Sequence, residues 1–343
     1  AAATTDLPAI VLSGGPMLDG HHKGELIGSG TVLWHARKLM AAGEIDYEGF
    51  MEMTTAASPS VGHCNTMGTA LSMNALAEAL GMSLTGCASI PAPYRERGQM
   101  AYATGKRICE LVMQDVRPSQ IMTREAFENA IAVASALGAS SNCPPHLIAI
   151  ARHMGIELSL DDWQRIGESV PLLVNCMPAG KYLGEGFHHA GGVPAVMHEL
   201  QKAGRLHEGC MTVSGRRIGE IVADKVTGNR EVILPYDEPL KHSAGFIVLS
   251  GNFFDSAIMK MSVVGEAFRK TYLAEPGKEN SFEARAIVFE GPEDYHARIN
   301  DPALDIDERC ILVVRVAGPV GYPGSAEVVN MDPPAALIKQ GVT

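Results

Sequence analysis

The sequence predicts an α/β protein, with an α/β domain over residues 1–230 followed by a β-rich domain over 235–343. Three observations lead there. From Ala1 to about Lys225, short apolar runs alternate with helical patterns, the texture of a sheet layered with helices. After about Pro235 the runs become strand-like, with turn residues between them and little helical periodicity. The chain is also long enough, at 343 residues with 46% hydrophobic content, to supply two cores.

The elements follow in order. Ala9-Ile10-Val11-Leu12 and Pro171-Leu172-Leu173-Val174 are uninterrupted apolar runs, the kind buried on both faces of a parallel sheet. Residues 66–82 read as a helix, with Met67, Ala70, Leu71, Ala77 and Leu80 on one stripe. Phe127, Ala130, Ile131, Ala134 and Leu137 mark a second helix, closed by Gly138 as C-cap. Pro144-Pro145 suits the first turn of a third helix, which Gly155 ends. Ser159 with Asp162 forms a capping-box variant that opens a fourth. Residues 245–250, 257–263, 285–289 and 311–316 are strand-like, with one short helical pattern at 293–299. The chain has no internal repeat, low-complexity tract or long linker.

Composition narrows the function classes. A net charge of −11 argues against a non-specific nucleic-acid surface. Small anionic ligands stay possible, because a local metal or arginine outweighs the global charge. No apolar run reaches the roughly 20 residues that cross a bilayer, so no membrane partner is expected. Seven scattered cysteines without a C-x-x-C pair speak against a disulfide scaffold or zinc ribbon, and for a cytoplasmic protein. Cys87, Cys109, Cys143, Cys176, Cys210 and Cys310 read as buried packing residues.

Cys64 differs from the other six. It lies in Ser60-Val61-Gly62-His63-Cys64-Asn65-Thr66-Met67-Gly68-Thr69-Ala70, a glycine-bearing turn that leads into the 66–82 helix. Free N–H groups and the positive helix end favour a thiolate, the form that attacks electrophiles or ligates metal. A buried cysteine is also commonly inert, so the residue types alone leave ligand, nucleophile and core residue open.

The wording of that segment, S-x-G-x-C-N-T-M-G-T-A, resembles the third cysteine motif of the dihydroxy-acid and sugar-acid dehydratases. Four other stretches are similar to motifs of the same family, in the same order. They are Gly14-Gly15-Pro16-Met17-Leu18-Asp19-Gly20, Phe127 to Ala130 with Gly138 to Leu147, Ala190-Gly191-Gly192-Val193-Pro194, and Gly318-Pro319-Val320-Gly321-Tyr322-Pro323-Gly324. The resemblance therefore runs from end to end. It implies an α/β domain followed by a β-barrel-like domain with the active site between them. It further implies more of the family pattern on both sides. An N-terminal portion would carry two more cluster cysteines and an Asp-Lys pair at a magnesium site. A C-terminal portion beyond Thr343 would carry an R-x-S-G-T serine as the base.

The chemistry so implied is loss of water from a 2,3-dihydroxy acid, giving an enol that tautomerises to the 2-keto-3-deoxy acid. Hydroxide leaves poorly and the C2 proton is weakly acidic, so the reaction needs a Lewis acid at the C3 hydroxyl and a second cation at the carboxylate end. The family assigns these tasks to a [2Fe–2S] cluster and to Mg²⁺. By position in the motifs, Cys64 matches a cluster ligand and Glu327 the magnesium carboxylate. Ser140, Ser141 and Asn142 match a substrate-binding loop. Glu327 on its own also reads as a solvated glutamate, and Ser140–Asn142 as ordinary turn chemistry at a helix junction.

Some residues depart from the family pattern. Ser325 replaces a Met, Ala139 and Ser141 replace Gly and Thr, and His63 stands where relatives often carry Thr. Tyr322 gives G-Y-P-G, as in sugar-acid members, where branched-chain members have G-G-P-G. The expected substrate is thus a small sugar acid, a 2,3-dihydroxy pentonate with D-xylonate first. L-arabinonate, gluconate and the branched-chain dihydroxy acids are the alternatives, and a homodimer or homotetramer is the expected assembly. Two readings from other classes stay open. One is a hydrolase with Cys64 as nucleophile and His146 or His188 as base; the other is an inactive binding domain.

Overall fold

Helices build most of the first part of the chain. The computed structural model describes residues 1–317 and 331–342. It divides into two compact units, one of residues 1–32 and 55–263, the other of 33–54 and 264–343. Helix and strand are mixed, consistent with an α/β class.

At the centre of the first unit is the helix Arg124–Leu137, buried along nearly its whole length. Its sequence, rich in alanine on every side, lets neighbours approach all round. Thr123 caps its start by accepting the Ala126 N–H at 3.4 Å, and Gly138 ends it in the left-handed conformation, as the sequence predicts. The helices Thr69–Ala79, Cys143–His153, Leu160–Gly167 and Gly192–Lys202 pack around it. The capping box of Ser159 and Asp162 is formed, and Pro144 and Pro145 occupy the first turn of their helix. Trp163 and Phe246 are fully buried and meet edge to face, with ring centroids 5.1 Å apart.

Several expectations need correction. Residues 9–12 form no strand; Val11 is tied instead to Met82 and Ser83, its N–H donating to the Met82 carbonyl at 2.8 Å. Residues 171–174 are buried but pair only through isolated bridges, Leu172 with Lys241 and Val174 with Ile233, both antiparallel. An extended segment wedged among helices shows the same apolar run as a central strand, so the pattern could not separate them. The 66–82 helix is shorter, Thr69–Ala79, and buries Leu71, Ser72, Ala75, Leu76, Glu78 and Ala79; Ala70 and Ala77 are only half-buried. The only two-stranded ladders in this unit, among the described residues, are the hairpin Gly20–His22 with Glu25–Ile27 and the antiparallel pair Phe246–Leu249 with Ala257–Lys260.

The second unit holds a β-α-β element. Strand Arg285–Phe289 runs parallel to Cys310–Val314, with Arg285 opposite Cys310 and Phe289 opposite Val314, and helix Pro292–Arg298 lies between them in sequence. Ile287, Phe289, Tyr295 and Ile299 make its core, Phe289 and Tyr295 edge to face at 5.4 Å. Among the described residues no strands close into a barrel. A second helix, Glu266–Tyr272, was not foreseen; it buries no residue, and its apolar face is a single pair, Phe268 and Tyr272, with ring centroids 5.0 Å apart.

Candidate functional site

Cys64 sits where three loops are tied together. Gly62 turns the chain at φ 133°, and a Cβ there would lie 2.5 Å from the Met17 nitrogen, so glycine is required for this approach. His63 N–H then donates to the Gly15 carbonyl at 3.0 Å and Met17 N–H to the His63 carbonyl at 2.8 Å. The imidazole of His63 donates from Nδ1 to the Cys64 carbonyl at 2.9 Å and accepts from Asn74 Nδ2 at 2.8 Å. Burial lowers its pKa, in keeping with that neutral ring.

The helix does not start at Thr66 as the sequence suggests. It starts at Thr69 with Gly68 as N-cap, and residues 64–68 are spent on the turn. The Cys64 sulfur therefore does not lie at the start of its own segment's helix; it lies against Ser29 and Gly30, the first residues of the helix Ser29–Ala42. Its hydrogen-bond partners among the described residues are two hydroxyls, Ser29 Oγ at 3.2 Å and Thr66 Oγ1 at 3.0 Å. Asn65, fully buried, organises this corner. Its Oδ1 accepts the Ser29 N–H at 2.8 Å, its Nδ2 donates to the Leu18 carbonyl at 2.9 Å, and its own carbonyl accepts the Gly184 N–H at 2.7 Å. Gly30 lies over the sulfur. A Cβ there would come within 2.9 Å of Cys64 Sγ and 2.5 Å of Thr66 Oγ1.

The same knot holds a carboxyl pair. Asp19 N–H donates to Glu185 Oε2 at 2.9 Å, and Glu185 N–H to Asp19 Oδ1 at 3.4 Å. The Tyr94 hydroxyl donates to Glu185 Oε1, and His189 Nε2 lies 3.1 Å from the same hydroxyl. Burial, then the Glu185 charge, pushes the Asp19 carboxyl up. Burial and the bond to Glu185 push the Tyr94 phenol up to about 12. The sequence motifs include Asp19 in the G-G-P-M-L-D-G loop and Asn65 and Thr66 beside Cys64 without giving them a task, and they do not reach Ser29, Tyr94 or Glu185. Only the loop wording could have flagged the first three, since their partners lie up to 166 residues away in sequence.

Ser140, Ser141 and Asn142 lie at a helix junction. Ser140 and Asn142 are buried and Ser141 is exposed. Ser140 Oγ is 3.0 Å from Thr69 Oγ1, Ser140 N–H donates to Ser72 Oγ at 3.0 Å, and Asn142 Nδ2 donates to Thr69 Oγ1 at 3.0 Å. These bonds join the junction to the start of the Thr69–Ala79 helix, five residues after Cys64. Tyr322 and Glu327 lie outside the described residues.

Cys87, Cys143, Cys176 and Cys210 are buried as expected, whereas Cys109 is exposed and Cys310 half-exposed. Helix Arg95–Gln114 buries only Thr104 and Leu111, which leaves Cys109 on its outer face. None of the seven forms a disulfide. Neither His146 nor His188 bonds to the Cys64 sulfur; His188 Nδ1 is instead 3.4 Å from Ser89 Oγ.

The residues around Cys64 fit one corner of a metal cluster. Gly30 leaves room over the sulfur, and two hydroxyls can donate to it once it is a thiolate. Among the described residues, however, no group of three or more His, Cys, Asp or Glu side chains is placed to hold a metal ion, so further ligands would have to come from elsewhere.

Comparison with known proteins decides the family. The model of the dihydroxy-acid/6-phosphogluconate dehydratase N-terminal domain matches residues 1–221, and that of the C-terminal domain matches residues 231–343. The chain belongs to the dihydroxy-acid/6-phosphogluconate dehydratase family. Within that family it is 63% identical, over 342 residues, to the D-xylonate dehydratase of Caulobacter vibrioides, covering 100% of this chain and 57% of the relative. It is 48% identical to the L-arabinonate dehydratase of Rhizobium leguminosarum bv. trifolii, covering 99% and 57%. It is 40% identical to a dihydroxy-acid dehydratase of Caldanaerobacter subterraneus subsp. tengcongensis, covering 100% and 59%. The chain thus spans less than two thirds of the length of these dehydratases. No helix among the described residues is long and apolar enough to cross a membrane.

Proposed function

We propose that this chain is part of a sugar-acid dehydratase, a hydro-lyase that removes water from a 2,3-dihydroxy pentonate, D-xylonate first, to give the 2-keto-3-deoxy acid. The observation that carries the reading is the 63% identity to a D-xylonate dehydratase along the whole chain. L-arabinonate is the second candidate, from the 48% match. Cys64 supplies one thiolate to a [2Fe–2S] cluster, and Glu327 one carboxylate to Mg²⁺. When bound, these groups supply Lewis acidity at the leaving hydroxyl and charge neutralisation at the carboxylate end.

This chain's own residues have narrower tasks. Ser29, Thr66 and Asn65 hold the sulfur in a fixed polar setting. Ser141, the exposed member of its loop, is free to meet substrate hydroxyls, while Ser140 and Asn142 set the loop's shape through Thr69 and Ser72. Tyr322 belongs to the motif that suits a polyol. A domain division near residues 230–235 is supported by the two family models, which meet between 221 and 231. A barrel-like second domain, a cytoplasmic setting and a homodimer or homotetramer rest on the family resemblance. The hydrolase alternative loses its support, because among the described residues no histidine is hydrogen-bonded to the thiol.

The test is kcat/KM for D-xylonate, L-arabinonate, D-gluconate and 2,3-dihydroxyisovalerate on one cluster-loaded preparation. A site built to hydrogen-bond the extra hydroxyls rejects an analogue lacking them by up to about 10⁴-fold. Equal or better turnover of dihydroxyisovalerate overturns the sugar-acid assignment.

A further inference from the structure

We infer that Ser29 and Thr66 are positioning residues that withdraw electron density from the Cys64 sulfur by hydrogen bonding, with Asn65 locking Ser29 in place. The inference rests on the reading of Cys64 as a cluster ligand and assigns work to three residues that no motif match assigns.

Thr66 makes the simplest case. Its side chain is buried, and the only hydrogen-bond partner of its hydroxyl among the described residues is the sulfur, 3.0 Å away. A buried hydroxyl without a partner is costly, so this one is committed to the sulfur. A metal-bound thiolate carries no proton and can only accept, which makes Thr66 the donor.

Ser29 reaches the same conclusion by elimination. Its Oγ already accepts the Asn65 N–H at 3.3 Å. Its single proton can go to Asn65 Oδ1 at 3.1 Å or to Cys64 Sγ at 3.2 Å. Asn65 Oδ1 is already served by the Ser29 N–H at 2.8 Å. A bond to a charged acceptor is the stronger of the two, so a thiolate takes the proton. Asn65 cannot turn to change this. Reversing its amide would set a donor against the Ser29 N–H and an acceptor against the Leu18 carbonyl.

Gly30 completes the arrangement, since a Cβ at that position would collide with both Thr66 Oγ1 and the sulfur. The two hydroxyls therefore stabilise extra negative charge on the sulfur, and hydrogen bonds to ligand sulfur raise the reduction potential of an iron–sulfur centre.

The experiment uses the full-length protein, at the length of the dehydratases this chain matches, loaded with its cluster under anaerobic conditions. Iron and sulfide per chain and the midpoint potential are measured for wild type, Cys64→Ser, Ser29→Ala, Thr66→Val and Thr66→Ser, with far-UV circular dichroism to confirm folding. Thr66→Val and Ser29→Ala are expected to keep their iron and move to a more negative potential. Thr66→Ser, which keeps the hydroxyl and loses only a methyl, is expected to retain the wild-type potential. An iron-replete Thr66→Val and Ser29→Ala with unchanged potentials overturns the inference. So does a Thr66→Ser that shifts as far as Thr66→Val, because packing would then be the cause. Full iron in Cys64→Ser is a different failure: it removes the ligand assignment itself, and the inference falls with it.

Discussion

Glu78 offers a quantitative test of the first unit's core. It lies near the end of the Thr69–Ala79 helix and is only 5% exposed. Its two carboxylate oxygens accept the Gly86 N–H at 2.5 Å and the Ala88 N–H at 2.9 Å, which pins the following turn to the helix. Burial pushes its pKa from 4.5 up to about 7, although the two N–H donors and Arg97 oppose the rise. A carboxyl whose pKa is raised on folding keeps more protons in the native state. Its contribution to stability is therefore fully present below pH 4.5 and is lost as pH climbs through about 7. The shift of about 2.5 pKa units, at about 1.4 kcal/mol per unit, gives a loss of about 3 kcal/mol. Glu78→Gln removes the titration. It also leaves one N–H without an acceptor, at a pH-independent cost of about 1–3 kcal/mol. Urea unfolding of both proteins at pH 5, 6, 7 and 8 is the assay. The variant should be clearly less stable at pH 5 and close to, or above, wild type at pH 8. Parallel stability curves across that range would refute the assignment of Glu78 as a buried, titrating group.

Other perturbations follow from the same structure. Phe127→Ala empties a fully buried position in the central helix and should cost about 3–5 kcal/mol in urea unfolding. Gly30→Ala sets a methyl against Thr66 Oγ1 and Cys64 Sγ and should cost about 1–3 kcal/mol. The same substitution should lower iron per chain, read by colorimetric assay. Glu327→Gln should weaken Mg²⁺ binding in calorimetry and reduce turnover while leaving iron nearly intact; unchanged Mg²⁺ affinity would remove Glu327 from the metal site.

What could be read beforehand depended on how local the signal was. The Gly138 cap, the Ser159–Asp162 capping box and the strand 285–289 each depend on a few adjacent residues, and all are present as expected. Residues 171–174 failed because burial, which the sequence reveals, does not determine which neighbour supplies the hydrogen bonds; residues 9–12 failed because the apolar run is only half-buried, with Leu12 exposed. Glu266–Tyr272 was missed because it buries no residue and one aromatic pair, Phe268 and Tyr272, is too short a pattern to impose a period. At the candidate site, the motif singles out Cys64 and its neighbours in sequence, but not the residues that other loops bring to it. Ser29 is 35 residues away from the sulfur it approaches, and Glu185 is 166 from Asp19. The helix start was misplaced because Asn65 gives its amide to tertiary bonds and Thr66 turns its hydroxyl back onto Cys64, and propensity carries no record of either.

The central claim is that Cys64, alone among the seven cysteines, holds a metal centre. The most direct measurement is the visible absorption and iron content of the full-length protein, purified without oxygen and reconstituted, for wild type, Cys64→Ser and the exposed control Cys109→Ser. The account predicts a coloured, iron-bearing wild type, the same result for Cys109→Ser, and loss of most colour and iron in Cys64→Ser. A Cys64→Ser protein with full colour and full iron would contradict it.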